Sequence, residues 1–246
     1  MTQQIVVLAA GKGTRMGGEI PKVLMPLGDQ PIIKHLLEQV RQIPQATAPV
    51  VVVGFKKEMV QEELGPDYLY VTQLDQKGTA HAALSAKEVI TADNIIVLNG
   101  DMPFTSAESL QKLIDLHNSN QSMVSMFTVM LPNFENQFDH FLSWGRIIRD
   151  GQNQIVKIQE YKDCNEQQKL ITEVNTGTYM FNSKWLWDKL EKIGDKNAQH
   201  EFYLTDIVEL AIADGQQVHS LVIDPRESYG INNPDDLEFA RDLNSK

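Results

Sequence analysis

Hydrophobic positions along this chain fall into two alternating textures. Ile5 to Ala9 is an unbroken apolar run containing β-branched residues, and it breaks abruptly into Gly11-Lys12-Gly13-Thr14-Arg15-Met16-Gly17-Gly18. A buried strand feeding a loop is expected there. After Pro31, the apolar positions Ile32, Ile33, Leu36, Leu37 and Val40 recur at helical spacing, and Val50 to Val53 then forms a second unbroken run. Strand, loop, helix and strand in that order predict a βαβ unit. The alternation continues with a helix over Lys57 to Leu64, a strand around Tyr68 to Val71, a helix from about Thr79 to Ile90 and a strand over Ile95 to Leu98. Wholly apolar strands between helices imply a sheet covered on both faces. Thr105 and Glu108 stand at capping-box spacing ahead of Leu110, Leu113 and Ile114, so a helix is expected from there to about Asn118.

Beyond Asn118 the texture changes. Met123 to Leu131 reads as a strand, Pro132 to Ser143 is polar and aromatic without a clean period, and Arg146 to Arg149, Ile155 to Gln159 and Val174 to Phe181 are shorter, more alternating runs. A small β-rich lobe is expected over about 123–203, embedded in a single domain spanning 1–246. Helices near Lys184 to Lys192 and Tyr203 to Asp214, a strand over Val218 to Ile223 and a last helix from Pro234 complete the expectation. The fold class is α/β: a Rossmann-like mixed, mainly parallel sheet flanked by helices.

Composition narrows the chemistry. With 22 Lys+Arg against 33 Asp+Glu, the 246-residue chain carries a net charge of −11, and no long basic run interrupts it. Such a chain repels polyanions, so a nucleic-acid partner is not expected. Its 42% hydrophobic content is ordinary for a globular protein, and no apolar run reaches the ~18 residues of a membrane span. One cysteine, Cys164, cannot close an intrachain disulfide, and Met1 to Val7 is too short and polar for a signal peptide. A cytoplasmic protein acting on small molecules is the expectation.

The loop after the first strand supplies the candidate chemistry. Its glycines let main-chain N–H groups approach an anion, and Lys12, Arg15 and Lys22 add positive charge at the carboxyl end of a strand, where ligands of such sheets collect. Neither common phosphate signature fits: Met16 stands where the dinucleotide fingerprint requires its third glycine, and G-x-x-x-x-G-K-[ST] is absent. At this point a phosphate site and a plain strand-to-loop transition both remain open.

The longer string Leu8-Ala9-Ala10-Gly11-Lys12-Gly13-Thr14-Arg15-Met16, with Pro21-Lys22-Val23-Leu24 and Leu27-Gly28, resembles the signature of nucleotidyltransferases that join a nucleoside triphosphate to a sugar 1-phosphate. Further matches follow in family order: Gln73 with Gly78-Thr79-Ala80-His81-Ala82, Gly100-Asp101-x-Pro103, Gly145-Arg146, Glu160-x-Lys162-Asp163, Glu173-x-Asn175-Thr176-Gly177, Tyr203-x-Thr205-Asp206 and Gly230-x-Asn232-Asn233. Together they resemble the N-terminal uridylyltransferase domain of the bacterial bifunctional N-acetylglucosamine-1-phosphate uridylyltransferases.

The resemblance implies direct attack of a sugar-phosphate oxygen on the α-phosphorus of UTP, with pyrophosphate leaving and no covalent enzyme intermediate. It implies catalytic roles for Arg15 and Lys22. It implies nucleotide binding by Leu8, Ala9, Ala10, Gly11, Gly13, Gln73, Gly78 and Thr79, and sugar binding by Gly145, Glu160 and Asn175. Mg²⁺ would be held by Asp101 and Asn232. The amide of Gln73 has a donor and an acceptor for a pyrimidine edge. Lys12 is equally consistent with a ligand and with a solvated loop cation. Asn233-Pro234-Asp235-Asp236 reads as a helix cap, a first-turn proline and first-turn acids, which leaves Asn232 for the metal. Thr205 and Asp206 fit either the closing region of the lobe or a helix cap. His81 stays outside the active set, because phosphate attack does not require it.

Three departures accompany the resemblance. The stretch from Asp101 to Gly145 is longer than in the family, around Pro132 to Ser143, and Trp144 stands where a tyrosine is usual; with Phe134, Phe138 and Phe141 these residues either reshape the sugar pocket or pack the lobe. Asn99 replaces another tyrosine. No hexapeptide period of a left-handed β-helix is visible, so acetyltransferase activity is not expected, and the oligomeric state is open. The alternatives carried forward are a related enzyme using glucose 1-phosphate with UTP or dTTP, and a nucleotide-sugar-binding module without turnover.

Overall fold

The computed structural model describes residues 1–44, 47–194 and 200–244. Strands β1 (Gln3–Ala9), β4 (Val50–Val53), β5 (Leu69–Thr72) and β6 (Asn94–Asn99) run parallel at the centre and one edge of a sheet. On the other side β10 (Glu173–Asn182) runs antiparallel to both β6 and β7 (Val124–Met130), and β11 (Val218–Val222) is parallel to β7. The order is β11-β7-β10-β6-β1-β4-β5, with β8 (Arg146–Arg149) joined to β10 and to β9 (Ile155–Gln159) off that path. A short ribbon of β2 (Pro26–Leu27) and β3 (Gln30–Pro31) stands apart. The sheet is mixed and mainly parallel, as the alternation of apolar runs and helical periods implies.

Side-chain alternation builds a core on each face. Ile5, Val7, Val51, Val53, Ile96 and Leu98 pack under α1 (Ile32–Val40), α2 (Lys57–Leu64) and α4 (Ala107–Asn120). Their neighbours Val6, Val50, Val52, Ile95 and Val97 pack under α3 (Thr79–Ser85), α6 (Ser183–Leu190) and α7 (Asp206–Ala213). Both faces being apolar is why these strands read as continuous runs. Two further helices complete the set: α5 (Glu166–Lys169) and α8 (Pro234–Asn244), the latter covering Leu27 and Ile32 through Leu237 and Ala240.

Several boundaries differ from expectation for physical reasons. The helix expected to Ile90 ends at Ser85 and continues as a 3₁₀ turn over Lys87–Val89, a common way for a last turn to tighten. The helix expected from Tyr203 starts at Asp206, because the preceding backbone is engaged elsewhere. Phe202 donates its N–H to Lys77 O at 2.8 Å and accepts from Ala80 N at 2.9 Å, while Leu204 N donates to Thr79 Oγ1 at 3.0 Å. At α4 the cap is Ser106, whose hydroxyl accepts from Ser109 N at 3.1 Å; Thr105 instead donates to Glu227 O. Over about 123–203, β7 and β10 run side by side in the main path of the sheet while β8 and β9 branch from β10; 195–199 lies outside the described residues.

Candidate functional site at the carboxyl ends of the central strands

The ends of β1, β5 and β6 surround a cavity of about 300 Å³. Its walls include Leu8, Ala9, Ala10 and Gly11 from β1 and the turn after it, Gln73, Gly78 and Thr79 from the loop that enters α3, and Lys22 and Asp101. Backbone forms much of this surface. Ala10 O is engaged by Phe55 N at 3.1 Å and by Gln76 Nε2 at 2.6 Å, which holds the turn after β1 against the one after β4.

Gly78 has φ +109, and a Cβ there would lie 2.5 Å from Phe202 O, so only glycine lets this loop enter α3 against the 202–204 segment. The close approach reveals a role for His81 that sequence reasoning passed over. Gln73, only 4% exposed, has its amide nitrogen 3.2 Å from Gly78 O and 3.1 Å from His81 Nδ1. With both partners accepting, the Gln73 carbonyl oxygen is left for a ligand, and the His81 proton resides on Nε2.

Lys22, Asp101 and Asn232 meet at one point, although 210 residues separate the first from the last. The Lys22 ammonium forms an ion pair with Asp101 Oδ2 and donates to Asn232 Oδ1 at 2.9 Å. Backbone reinforces the junction, since Ile231 N donates to Asp101 O at 3.0 Å. Gly13, by contrast, is not on the cavity wall. Its φ is +61, and a Cβ there would stand 2.5 Å from Lys22 Cβ, so this glycine makes room for the lysine stem. Lys12 lies over the Phe55 ring, 5.6 Å from its centroid.

Arg15 is exposed and lines a second cavity, of about 670 Å³, on the other side of Asn232. That cavity is walled by the stretch before Gly145: Asn136–Ser143 forms a 3₁₀ segment followed by Trp144. Phe141 is buried in the core, with Phe134, Phe138 and Trp144 packed against it. The fully buried Arg146 holds the segment down by donating to Leu142 O and Trp144 O, with Phe134 4.2 Å and Tyr161 4.9 Å from its guanidinium carbon. Burial lowers the Arg146 pKa from its usual value.

The expected sugar residues cluster in the β8–β10 region. Gly145 O accepts from Asn175 N at 2.9 Å, and a Cβ on Gly145 would lie 3.6 Å from Glu160 Oε1. Asn175 sits at a bulge: the pairing of β10 with β7 shifts register between Asn175 and Tyr179. Bulges re-aim side chains beside sites, and a glycine inside a strand, here Gly177, is the sequence signal for one. Burial raises the Glu160 pKa, with the Thr205 hydroxyl opposing it and Asp206 and Asp163 adding to it. Burial also raises Asp206, helped by Glu209 and opposed by Lys157. Thr205 precedes α7 but makes no side-chain cap bond.

Among the described residues no group of three or more His, Cys, Asp or Glu could hold a metal ion, and no helix is long and apolar enough to cross a membrane. A one-carboxylate, one-amide pair still suits a hard cation that keeps waters and substrate phosphates as its other ligands. The Lys22 ammonium is the observation that tests the fit: the oxygens of Asp101 and Asn232 converge on one positive group.

Solved structures share this architecture. A UDP-glucose pyrophosphorylase complexed with UDP-glucose aligns at TM-score 0.80 and 17% identity, over 100% of this chain and 99% of that one. A putative glucose-1-phosphate thymidylyltransferase from Bacillus anthracis aligns at 0.77 and 18%, over 98% and 95%. The chain belongs to the MobA-like NTP transferase domain family, which matches residues 5–173. Two relatives are each called bifunctional protein GlmU. The one from Desulfotalea psychrophila is 38% identical over 240 residues, 96% of this chain and 68% of its own length; the one from Streptococcus uberis is 39% identical over 236 residues, 94% and 50%. The chain thus spans about half to two thirds of these relatives.

Proposed function

We propose that this chain is a Mg²⁺-dependent sugar-1-phosphate uridylyltransferase, making a UDP-sugar and pyrophosphate from UTP and N-acetylglucosamine 1-phosphate. One observation carries the reading: Lys22, Asp101 and Asn232 converge between the backbone-walled cavity and the Arg15 cavity. Around that point the expected residues divide by task. The Gln73 carbonyl oxygen accepts from the N3–H of uracil, a proton that cytosine lacks, and the Ala9 to Gly11 backbone lets a nucleoside approach closely. Lys22 and Arg15 offset triphosphate charge from opposite sides of the junction, with the forked guanidinium suited to the leaving pyrophosphate. Gly13 makes room for Lys22 and leaves its own backbone beside the phosphate-facing loop.

Asp101 and Asn232 would hold Mg²⁺, which would supply positive charge beside the triphosphate. The Lys22 ammonium, which pairs with Asp101 and Asn232 here, would be within the same junction to offset phosphate charge. Glu160 and Asn175 hydrogen-bond the sugar hydroxyls, and the Gly145 backbone accepts the acylamino group. The acceptor phosphate oxygen attacks directly, so the protein contributes positioning and charge rather than a nucleophile.

The test is a panel assay: pyrophosphate release from each nucleoside triphosphate with several sugar 1-phosphates, with and without Mg²⁺. UTP with N-acetylglucosamine 1-phosphate should give the highest kcat/KM. Equal rates with glucose 1-phosphate would remove the acylamino contact, and tight nucleotide-sugar binding without turnover would make the chain a binding module.

A further inference from the structure

The extra segment before Gly145 raises a question the reaction itself leaves unanswered: why a polar histidine should be buried in an aromatic cluster beside the candidate metal pair. His140 is 9% exposed at its side chain. Its ring stacks on Tyr229, centroids 4.3 Å apart at 23°, and meets Phe141 and Trp144 edge-on at 5.3 and 5.7 Å. Its Nε2 is buried without a hydrogen-bond partner. Its Nδ1 lies 3.0 Å from Asp236 Oδ1, and Asp236 is itself only 8% exposed at the side chain. An ionised carboxylate can only accept, so Nδ1 carries the proton and donates it.

The other oxygen of Asp236 reaches the site. Asp236 Oδ2 accepts from Asn232 N at 2.7 Å and from Asn233 N at 3.1 Å, while Asn233 Oδ1 accepts from Asp236 N at 2.9 Å. The reciprocal bond with Asn233 is an ordinary helix cap for α8. The bond to Asn232 is more than a cap requires, because Asn232 is the residue whose side-chain oxygen meets Lys22 beside Asp101. From the opposite direction, Ile231 N is tied to Asp101 O. The backbone of Asn232 is thereby held from both sides, once by the strand end that carries Asp101 and once by Asp236, whose own orientation is set by His140.

We infer that His140 and Asp236 are positioning residues: the extra 3₁₀ segment orients Asp236, and Asp236 orients Asn232 for the divalent cation. The proposal rests on the reading of Asn232 as a metal ligand and adds a reason for the segment's presence. Partners behind a metal ligand commonly change metal affinity by about 10- to 100-fold when removed. A packing role and a positioning role separate cleanly at His140. His140→Phe keeps the aromatic stack and removes the N–H donor; His140→Asn keeps a donor near Nδ1 and removes the stack.

Mn²⁺ binding to the full chain is to be measured by water-proton relaxation in the presence of UDP-N-acetylglucosamine, a mixture that cannot turn over without pyrophosphate. The Mg²⁺ concentration for half-maximal velocity, the KM for UTP and the thermal midpoint are measured beside it. The expected result is that His140→Phe weakens Mn²⁺ binding about tenfold and raises the Mg²⁺ requirement in parallel. His140→Asn should restore Mn²⁺ binding even though its thermal midpoint is lower. Should His140→Phe fail to fold, Asp236→Asn serves instead, since it is isosteric, keeps an acceptor for both N–H groups and loses their charge assistance; it should weaken Mn²⁺ binding several-fold.

Unchanged Mn²⁺ affinity in the folded donor-less variant, or a loss that follows the thermal midpoint and is greater in His140→Asn, would overturn the proposal. Asn232→Ala separates the two levels. If it weakens Mn²⁺ binding and His140→Phe does not, the clamp is wrong and the metal ligand stands. If Asn232→Ala binds Mn²⁺ like the parent, the metal assignment falls and takes the clamp with it.

Discussion

Two regions of the candidate site are built from different materials. The β1 side is largely backbone: Leu8 to Gly11 and Gly78 contribute carbonyls, amides and close approach, with Gln73, held by His81, among the polar side chains beside them. The β8–β10 side is side chains: Glu160, Asn175 and Asp206 gathered by a bulge and a hairpin. A backbone wall tolerates changes of side chain but not of conformation. A side-chain wall can be altered one group at a time, so it is the side on which acceptor choice is most easily changed.

The Lys22–Asp101–Asn232 junction should give the largest effect. Asp101→Asn should lower kcat on the order of a hundred- to a thousandfold, the scale of removing one preorganised charge at a developing transition state, while the thermal midpoint stays near the parent value. Ordinary turnover at normal Mg²⁺ would take Asp101 out of the metal site.

On the backbone side, Gly78→Ala must break conformation. Its φ of +109 and the 2.5 Å approach to Phe202 O predict a loss of about 1–3 kcal/mol in urea unfolding from backbone strain, with a raised KM for UTP. An unchanged unfolding midpoint would mean that the loop can reorganise, and the contrast between the two walls would lose its basis.

The side-chain wall should respond differently. Asn175→Ala should raise the KM for the sugar phosphate about tenfold, the value of a hydrogen bond to a buried polar group, and leave the KM for UTP alone. Equal effects on both substrates would show that the two walls act as one.

The smallest effect is one of pH. Burial, Asp206 and Asp163 all raise Glu160, against the opposing Thr205 hydroxyl, so it takes up its proton at a pH above the ordinary carboxylate range. The ionised form accepts from sugar hydroxyls; as pH falls through that raised value the charge assistance is lost while the carbonyl oxygen still accepts, so sugar KM rises only a few-fold. UTP KM should not follow, and Glu160→Gln should flatten the profile.

Much of this was legible because it depends on local pattern. Unbroken runs such as Val50 to Val53 identify doubly covered strands, and Asn233-Pro234 marks a helix start whatever surrounds it. The boundaries that moved did so through distant partners. Glu227, 121 residues from Ser106, bonds the cap of α4, and the 77–80 loop captures the backbone of Phe202 before α7 can begin. Gly13 illustrates the same limit inside the motif. Its place in the string suggests a phosphate contact, and the fold adds a demand the string does not show, room for the Lys22 stem.

The sequence by itself determined the layered sheet, the glycine-rich turn at a strand end and the residue types able to meet phosphate, base and sugar, because apolar period and turn chemistry are properties of neighbouring residues. Tertiary structure alone decided that Arg15 faces a different cavity from the backbone wall, that His81 orients Gln73, and that the extra segment reaches Asn232 through His140 and Asp236. Those are contacts between residues far apart in the chain, set by where the packed layers bring loop ends together, and no local pattern encodes them.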